Sequence, residues 1–422
     1  MALHEAVTVT VTSGYDLWDC SLYTNVISPA MNTTNFKGCR KYGSRHPIKI
    51  ALIGSRGIPP RYGGIETFVY ELSKRLKEDF DIYVTSEDDG FYMDEYEGIK
   101  SIHIWAKHTP TMTLPAIYDI IATLYLLKKV PDINLLFYVA PDGAYAAILA
   151  KLARKKTIVS TDGVEWQRLF ARMKYAPMFN KPMYLLAMLA LFFAEFFACK
   201  IPDATIADSI AIKHHIERRW KPKKVIYIAY GVRPLPQIDE EKQRTILHKL
   251  GLERHGYYLT VGRIVAENNI HMEIQAFTQA KTSKKLVIVG PINPKDPYVK
   301  YLHKLKKDDQ RIIFTGPIYD TTILSTLRAN CKAYIHAYTV GGTNPSLLEQ
   351  LQYNRPILAY DVPFHREILR EKGIYFKTTE ELRQKIEEID NKDVTIQWNP
   401  PKIFTWQHVA NTYKQLFKQL VG

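Results

Sequence analysis

The chain is poor in cysteine, and its cysteines form no recognisable site. The 422 residues contain four, at positions 20, 39, 199 and 331, with no Cys-x-x-Cys pair and no cluster of histidines and cysteines. Zinc sites and disulfide frameworks depend on such spacings. The sequence therefore predicts neither, and a reducing cytoplasm is the expected compartment.

Two other signals are missing. No stretch fits the Gly-x-Gly-x-x-Gly fingerprint of dinucleotide-binding folds. The first residues lack the apolar core of a signal peptide, and residues 1–46 are instead rich in Gly, Ser, Thr and Asn. We therefore expect residues 1–46 to be a poorly ordered extension that takes no part in the chemistry.

Basic residues outnumber acidic ones. Lys and Arg total 57 against 43 Asp and Glu, a net charge of +14, and they are scattered along the chain. This excess suits an anionic partner: nucleic acid, an anionic membrane surface or a phosphorylated substrate. The absence of an aromatic-basic RNA motif and of a helix-turn-helix signature argues against nucleic acid. A basic nucleic-acid-binding protein stays open as an alternative.

The hydrophobic pattern predicts two α/β domains. In residues 47–232, short apolar strands such as residues 48–54 alternate with amphipathic helices. The pattern repeats in residues 233–398, where four strands each end in Gly or a polar turn: 257–261, 285–289, 311–315 and 332–336. Such alternation is typical of doubly wound parallel sheets. Residues 399–422 add a Pro-rich connection and a C-terminal amphipathic helix.

Residues 336–349 are the most informative stretch. A Gly-Gly turn separates a short strand from a helix, for which Asn344 is a good N-cap and Pro345 a good first residue. Such a helix start can hold an anion, because unpaired N–H groups and the helix dipole point at one spot. Glu349, near the end of the first turn, can accept hydrogen bonds from both ribose hydroxyls. We interpret the stretch as a nucleoside diphosphate site, with an ordinary αβ unit as the alternative.

Three more positions follow predicted strands. Gly63-Gly64 would let the backbone approach a substrate, Asp162 follows a strand at 157–160, and Arg263 could bind a diphosphate through two N–H groups. The alternatives are a tight turn for the glycines, a helix cap for Asp162 and a surface position for Arg263.

Residues 166–199 suggest contact with a membrane. A basic amphipathic helix at 166–174 carries Trp166 on its apolar face and Arg168, Arg172 and Lys174 elsewhere. The apolar residues 183–199 would form a helix of about 26 Å, shorter than the roughly 30 Å hydrocarbon core of a bilayer. We expect peripheral membrane contact rather than a span, with a core helix as the alternative for 183–199.

Together these stretches resemble the GT-B glycosyltransferases of family 4 over about residues 47–422. Residues 53–68, 162–166, 261–270 and 342–349 resemble its rhamnosyltransferase-like branch, with a DUF1972-type N-terminal domain. The resemblance implies a GT-B fold: two doubly wound, Rossmann-like domains facing a central cleft, with the C-terminal helix crossing back to the first. It also implies retaining, metal-independent and cofactor-free transfer of rhamnose or another hexose from a nucleoside diphosphate. The acceptor would be a glycan or a lipid-linked molecule at the cytoplasmic face of the membrane.

The resemblance assigns roles to individual residues. Glu349 would bind the ribose, Arg263 the diphosphate, and Gly316 to Ile318 would border the base. The sugar or phosphate oxygens would contact the backbone of the glycine turn and helix start: Gly341, Gly342, Thr343, Asn344, Ser346 and Leu347. Gly63 and Gly64 would lie near the reacting centre, and Asp162 would be the catalytic residue on the acceptor side.

Two positions depart from the family pattern. Many members carry a glutamate where this chain has Gly341 and a lysine where it has Asn268. A deoxysugar donor, which has fewer hydroxyls to recognise, would fit the missing carboxylate. His336 is expected to be a core-edge histidine rather than a base. A GT-B nucleotide-sugar epimerase or a phosphorylase stays open as an enzymatic alternative.

Overall fold

The computed structural model describes residues 47–60, 63–106 and 115–422. The predicted N-terminal extension, residues 1–46, lies outside the described residues. Within the described part, two α/β domains follow each other in the order that the sequence predicts.

The first domain is built on an eight-stranded sheet. Its strands are β1 (Lys49–Ile53), β2 (Asp81–Asp88), β3 (Tyr92–Tyr96), β4 (Ile99–Trp105), β5 (Leu135–Tyr138), β6 (Lys156–Thr161), β7 (Ala204–Ala207) and β8 (Val225–Tyr227). They lie in the order β3-β4-β2-β1-β5-β6-β7-β8, and β3 is antiparallel to β4 while the other pairs are parallel. Strand β3 was not predicted, because this largely exposed edge strand lacks an apolar run.

Six helices accompany this sheet: α1 (Gly64–Leu76), α2 (Pro115–Lys129), α3 (Ala144–Leu152), α4 (Glu165–Met173), α5 (Lys181–Lys200) and α6 (Ile210–Trp220). The strand order reverses between β1 and β5. In doubly wound sheets, ligands bind beyond the carboxyl ends of the strands at such a reversal. The loops that follow β1 and β5 lie at this reversal, and those that follow β6 and β7 lie further along the same edge of the sheet.

The second domain repeats the design with a six-stranded parallel sheet. Its strands are β9 (Tyr257–Val261), β10 (Lys285–Val289), β11 (Ile312–Gly316), β12 (Ala333–His336), β13 (Ile357–Tyr360) and β14 (Ile374–Phe376). Its helices are α7 (Glu240–Lys249), α8 (Ile270–Gln279), α9 (Pro297–Lys306), α10 (Thr321–Asn330), α11 (Pro345–Leu351), α12 (Pro363–Leu369) and α13 (Thr379–Asp390). The order β11-β10-β9-β12-β13-β14 reverses between β9 and β12. Strands β13 and β14, of four and three residues, were not predicted.

The last helix, α14 (Trp406–Val421), returns to the first domain. Its apolar face, which includes Tyr413 and Phe417, is buried with Phe68 and Phe137 in the core of that domain. Just before it, Thr405 pairs with Val232 of the interdomain linker. The two chain crossings between the domains therefore lie side by side.

Candidate active site

The loop after β12 lies where the second sheet reverses. The side-chain oxygen of Asn344 accepts a hydrogen bond from the Ser346 N–H at 2.9 Å, and Pro345 occupies the first turn of α11. Gly341 has a φ of +148°, a conformation that favours glycine. The structure thus contains the strand, the glycine turn and the capped helix that the sequence predicts.

Part of the predicted oxygen-binding backbone is already engaged. The Ser346 hydroxyl contacts Arg328, Tyr334 and the Val261 carbonyl, and the Ser346 N–H is used by the cap. The Leu347 side chain is fully buried, and its N–H donates to the Asn344 carbonyl at 3.1 Å. The N–H groups of Ser346 and Leu347 are thus both engaged within the helix start, the first of them by the cap. Their predicted contacts with the ligand stay predictions.

The N–H groups of the glycine turn remain available. Among the described residues, neither the Gly341 nor the Gly342 N–H donates a hydrogen bond to another group. Two adjacent free donors at a strand end can bind the oxygen of an anion. The glycine turn, rather than the helix start, therefore has N–H groups without an acceptor among the described residues.

Glu349 is held in place from one side. The Arg328 Nη2 donates to Glu349 Oε2 at 3.0 Å and to Ser346 Oγ at 2.8 Å. The Arg328 side chain is almost completely buried, whereas that of Glu349 is 41% exposed. One carboxylate oxygen is thus fixed, and no described side chain bonds the other. Arg328 was not predicted, because an arginine inside a helix matches no local motif.

Glycines end the three strands on the other side of the reversal. Gly262 and Gly290 follow β9 and β10, and a Cβ on Gly290 would lie 2.0 Å from the Gly262 carbonyl oxygen. Gly316, with a φ of +75°, ends β11 beside the half-buried Ile318. Gly262 and Gly290 thus allow close packing of protein around them, whereas the space beside Gly316 is open.

Arg263 projects from that edge. It is exposed, and its guanidinium forms no hydrogen bond or ion pair within the described part of the chain. The Asn268 amide donates to the Arg263 carbonyl at 2.7 Å. Asn268 therefore fixes the Arg263 backbone and contributes no charge to the site.

Three loops of the first domain meet the glycine turn of the second. A Cβ on Gly64 would lie 3.8 Å from Pro345 Cγ, and one on Gly163 would lie 3.3 Å from Gly341 Cα. A Cβ on Gly342 would lie only 1.9 Å from Asp208 Oδ1. The structure thus brings the Gly63-Gly64 loop, the loop of Asp162 and the loop of Asp208 to residues 341–345.

Charged side chains line the first-domain side of this contact. The Arg168 Nη2 donates to the Asp162 carbonyl at 3.2 Å, and its guanidinium also pairs with the Glu165 carboxylate. Burial raises the pKa of Glu165 and raises that of Asp208 well above its usual range. Asp208 was not predicted, although it follows a predicted strand, 204–207, in the way that Asp162 follows its strand. Asp208 would have been predicted if the residue that follows each strand had been treated as a candidate for the site.

Other contacts join the two domains beside the cleft. The Arg172 guanidinium binds both carboxylate oxygens of Glu267, with Nε 3.1 Å from each. Glu367 in turn accepts hydrogen bonds from the Ile210 and Ala211 N–H groups at the start of α6, at 3.0 and 3.3 Å. These cross-domain pairs hold the two domains together beside the cleft.

Three of the four residues predicted to contact a membrane contact protein instead. Trp166 Nε1 donates to Glu195 at 3.2 Å, and Arg168 and Arg172 point into the cleft. Only Lys174 stays at the surface, over the Phe170 ring. An amphipathic pattern does not reveal such protein partners, and membrane contact by these residues stays a prediction.

Helix α5 is longer and more exposed than predicted. It covers Lys181–Lys200, and only four of its residues are buried: Ala194, Glu195, Ala198 and Cys199. The segment from Met178 to Lys200 is the one helix in the described residues that is long and apolar enough to cross a membrane. Its large exposed apolar side chains are Met178, Phe179, Met183, Leu185, Leu186, Leu189 and Phe193. The core-helix alternative thus applies only to its C-terminal end.

His336 is fully buried and stacks on Tyr338, with ring centroids 4.1 Å apart. Burial lowers its pKa well below the usual range. The prediction of a histidine in the core rather than a base agrees with this position.

Solved structures share this architecture across both domains. Sucrose-phosphate synthase from Thermosynechococcus elongatus matches with a TM-score of 0.69 at 16% identity, covering 88% of this chain and 99% of that one. HepE from Anabaena, solved with UDP-glucose, matches with a TM-score of 0.65 at 15% identity, covering 89% and 100%. These matches confirm the predicted GT-B fold.

Family comparisons cover each domain separately. Residues 48–233 match a domain of unknown function, DUF1972, and residues 242–394 match the glycosyl transferases group 1. The protein is a GT-B glycosyltransferase. A curated relative, an uncharacterised glycosyltransferase of Methanocaldococcus jannaschii, is 25% identical to it over 406 residues, covering 86% of this chain and 96% of the relative. The predicted enzyme class is thereby confirmed.

The two matches divide the site of this glycosyltransferase. Arg263, the glycine turn and Glu349 lie in the group 1 part, whereas Asp162, Arg168 and Asp208 lie in the DUF1972 part. Each domain therefore contributes its own strand-end loops to one cleft.

Proposed function

We propose that this glycosyltransferase moves a sugar from a nucleoside diphosphate to a glycan or lipid-linked acceptor at the cytoplasmic face of the membrane, with retention and without a metal. The observation that carries the proposal is the setting of Glu349. Arg328 fixes one of its oxygens, and no described side chain bonds the other. A carboxylate held in this way can accept hydrogen bonds from vicinal ribose hydroxyls.

The leaving diphosphate would lie between Glu349 and the first-domain loops. Breaking the sugar–phosphate bond adds negative charge to the diphosphate, and donors already in position stabilise that charge most. Arg263 and the free N–H groups of Gly341 and Gly342 are such donors. The UDP-glucose complex of the Anabaena protein of the same fold supports a nucleotide-sugar donor.

The acceptor would enter from the first domain. Asp162 lies beside Gly163, which touches Gly341 across the cleft. A carboxylate here can orient an acceptor hydroxyl or take its proton. The lack of a carboxylate at Gly341 supports a donor sugar with few hydroxyls to recognise, such as rhamnose. Retention follows from the resemblance to family 4.

The exposed face of α5 supports peripheral membrane contact. Its apolar side chains cluster on the N-terminal part of the helix, whereas Glu195 and Cys199 are buried at the other end. A helix fixed at one end in this way can lie in the interface with its apolar face among the acyl chains.

A donor and acceptor assay tests the reaction. Purified protein is incubated with UDP-glucose, GDP-mannose or dTDP-rhamnose and with a lipid extract, with and without EDTA. We expect transfer from one donor, unchanged by EDTA, and a product that keeps the anomeric configuration of the donor sugar by NMR. Inversion of the anomeric configuration would contradict retention. Activity that is lost in EDTA and restored by Mg²⁺ would contradict metal independence. Conversion of a nucleotide sugar without any acceptor would favour the epimerase.

The membrane contact predicts the effect of one surface substitution. Leu186→Ser removes a side chain that is 70% exposed on α5. Since burying a leucine side chain contributes about 1.5–3 kcal/mol, we expect vesicle binding to weaken about tenfold or more. Leu235→Ser, in the exposed linker, is the matched control and should change nothing. Equal binding of both variants in a vesicle sedimentation assay would contradict contact through α5.

A further inference from the structure

A basic hollow lies between α6 and α12, outside the cleft. Its volume is about 570 Å³, and its lining comes from one face of α6 and one residue of the second domain: Ala211, His214, His215, Arg218, Arg219 and Pro363. The α6 residues recur every three or four positions, the spacing of one helix face. None of these lining residues, all from the described part of the chain, is a carboxylate.

Only some of the basic side chains in the hollow have interaction partners. Within the described residues, His214 and Arg218 form no hydrogen bond or ion pair. His215 Nε2 lies 3.1 Å from Glu195, and the Arg219 guanidinium lies over the Phe192 and Trp220 rings at 4.9 and 5.0 Å. The hollow therefore presents uncompensated positive charge, with Arg219 held in place by aromatic rings.

The hollow adjoins the apolar face of α5. Phe192, beneath Arg219, is followed by the exposed Phe193 and preceded by the exposed Leu189 about one turn earlier. Positive charge beside exposed apolar side chains matches the boundary between the headgroups and the acyl chains of an anionic bilayer.

We propose that this hollow binds the phosphate of an anionic lipid headgroup while the apolar face of α5 enters the acyl layer. The inference rests on the membrane contact proposed above and names its lipid class. Arginine suits this role because its planar fork pairs with two phosphate oxygens.

A bound headgroup would fix the orientation of the cleft. Helix α6 starts at Ile210, two residues after Asp208 in the cleft, and Arg218 lies eight residues further along. At the helical rise this is about 12 Å. A lipid held at Arg218 would place the acceptor side of the cleft close to the membrane surface.

Vesicle flotation of the full chain tests the proposal. We compare phosphatidylcholine vesicles with vesicles that also contain phosphatidylglycerol, using wild type and the His214→Gln/Arg218→Gln double variant. Since each Lys or Arg near an anionic surface contributes about 1 kcal/mol, we expect the loss of Arg218 to lower the preference of the double variant for anionic vesicles by at least about fivefold. Its binding to phosphatidylcholine should not change.

The control is Arg244→Gln on α7, which removes one exposed positive charge that does not line the hollow and breaks only a surface pair with Glu240. The Arg244→Gln variant should keep the full preference for anionic vesicles. A double variant that binds anionic vesicles as wild type does would overturn the headgroup site and leave the membrane contact standing. Wild type that binds neither vesicle would refute the membrane contact itself. Calorimetric binding of glycerol phosphate as tight as that of anionic vesicles would assign the hollow to a free phosphate and overturn the lipid assignment.

Discussion

Replacing Arg263 by alanine is expected to lower kcat/KM for the nucleotide sugar by about 10²–10³-fold, the usual effect of removing one donor that stabilises developing charge. Arg263 is exposed at the carboxyl end of β9 and has no partner within the described residues. Its guanidinium is therefore free to bind the leaving diphosphate. The measurement is steady-state kinetics with the active donor, together with thermal unfolding, which should not change.

Two variants make this result specific. Arg263→Lys keeps the charge but loses the planar fork, so it should recover only part of the rate. Arg254→Ala removes an exposed arginine at the opposite end of β9 and should behave as wild type. If Arg263→Ala and Arg254→Ala have the same kinetics, Arg263 does not bind the leaving group.

Replacing Glu349 by glutamine is expected to weaken binding of a ribonucleoside diphosphate about 10- to 100-fold. Hydrogen bonds to a charged group contribute about 1.5–3 kcal/mol each, and glutamine keeps the shape while it loses the charge. Calorimetric titration of UDP, GDP, ADP and dTDP, with and without EDTA, measures the change. dTDP lacks the 2′-hydroxyl, so its binding should weaken less if Glu349 holds both hydroxyls.

The buried Arg328 complicates this substitution, because it loses its charged partner. Thermal unfolding of Glu349→Gln therefore accompanies the titration, and Glu371→Gln, at an exposed position of the same domain, is the control for the loss of one carboxylate. Unchanged binding of all four nucleotides would remove Glu349 from the donor site. If binding is weaker only at temperatures where the variant unfolds, Glu349 contributes to the stability of the fold and not to nucleotide binding.

Features set by neighbouring residues could be predicted from the sequence. The cap at Asn344, the glycine turn and the strand before Arg263 each depend on a few adjacent residues, and all are present. The fold class followed from the alternation of such short patterns. Gly64 and Asp162 lie at the same edge of the first sheet because parallel strands of one sheet end at one edge. Gly341 belongs to the second sheet and meets them only because the two domains face each other.

Pairings between distant residues could not be predicted. From the sequence, Arg172 was expected to be a free surface charge. In the structure it binds Glu267, which lies 95 positions away in the chain. Arg328 similarly acquires its partner Glu349 only when α10 packs beside α11. The availability of N–H groups was also misjudged at Ser346, since the cap that defines the helix start uses the donor expected to bind a ligand.

The return of α14 to the first domain has a consequence for synthesis of the chain. Trp406, Tyr413 and Phe417 complete the core around Phe68 and Phe137, which the ribosome makes more than 250 residues earlier. The first domain therefore cannot finish folding until the last residues leave the exit tunnel. A product that stops after the second domain would carry a bare apolar groove on its first domain, so a nonsense mutation near residue 400 should yield protein that proteases remove rather than a weakened enzyme.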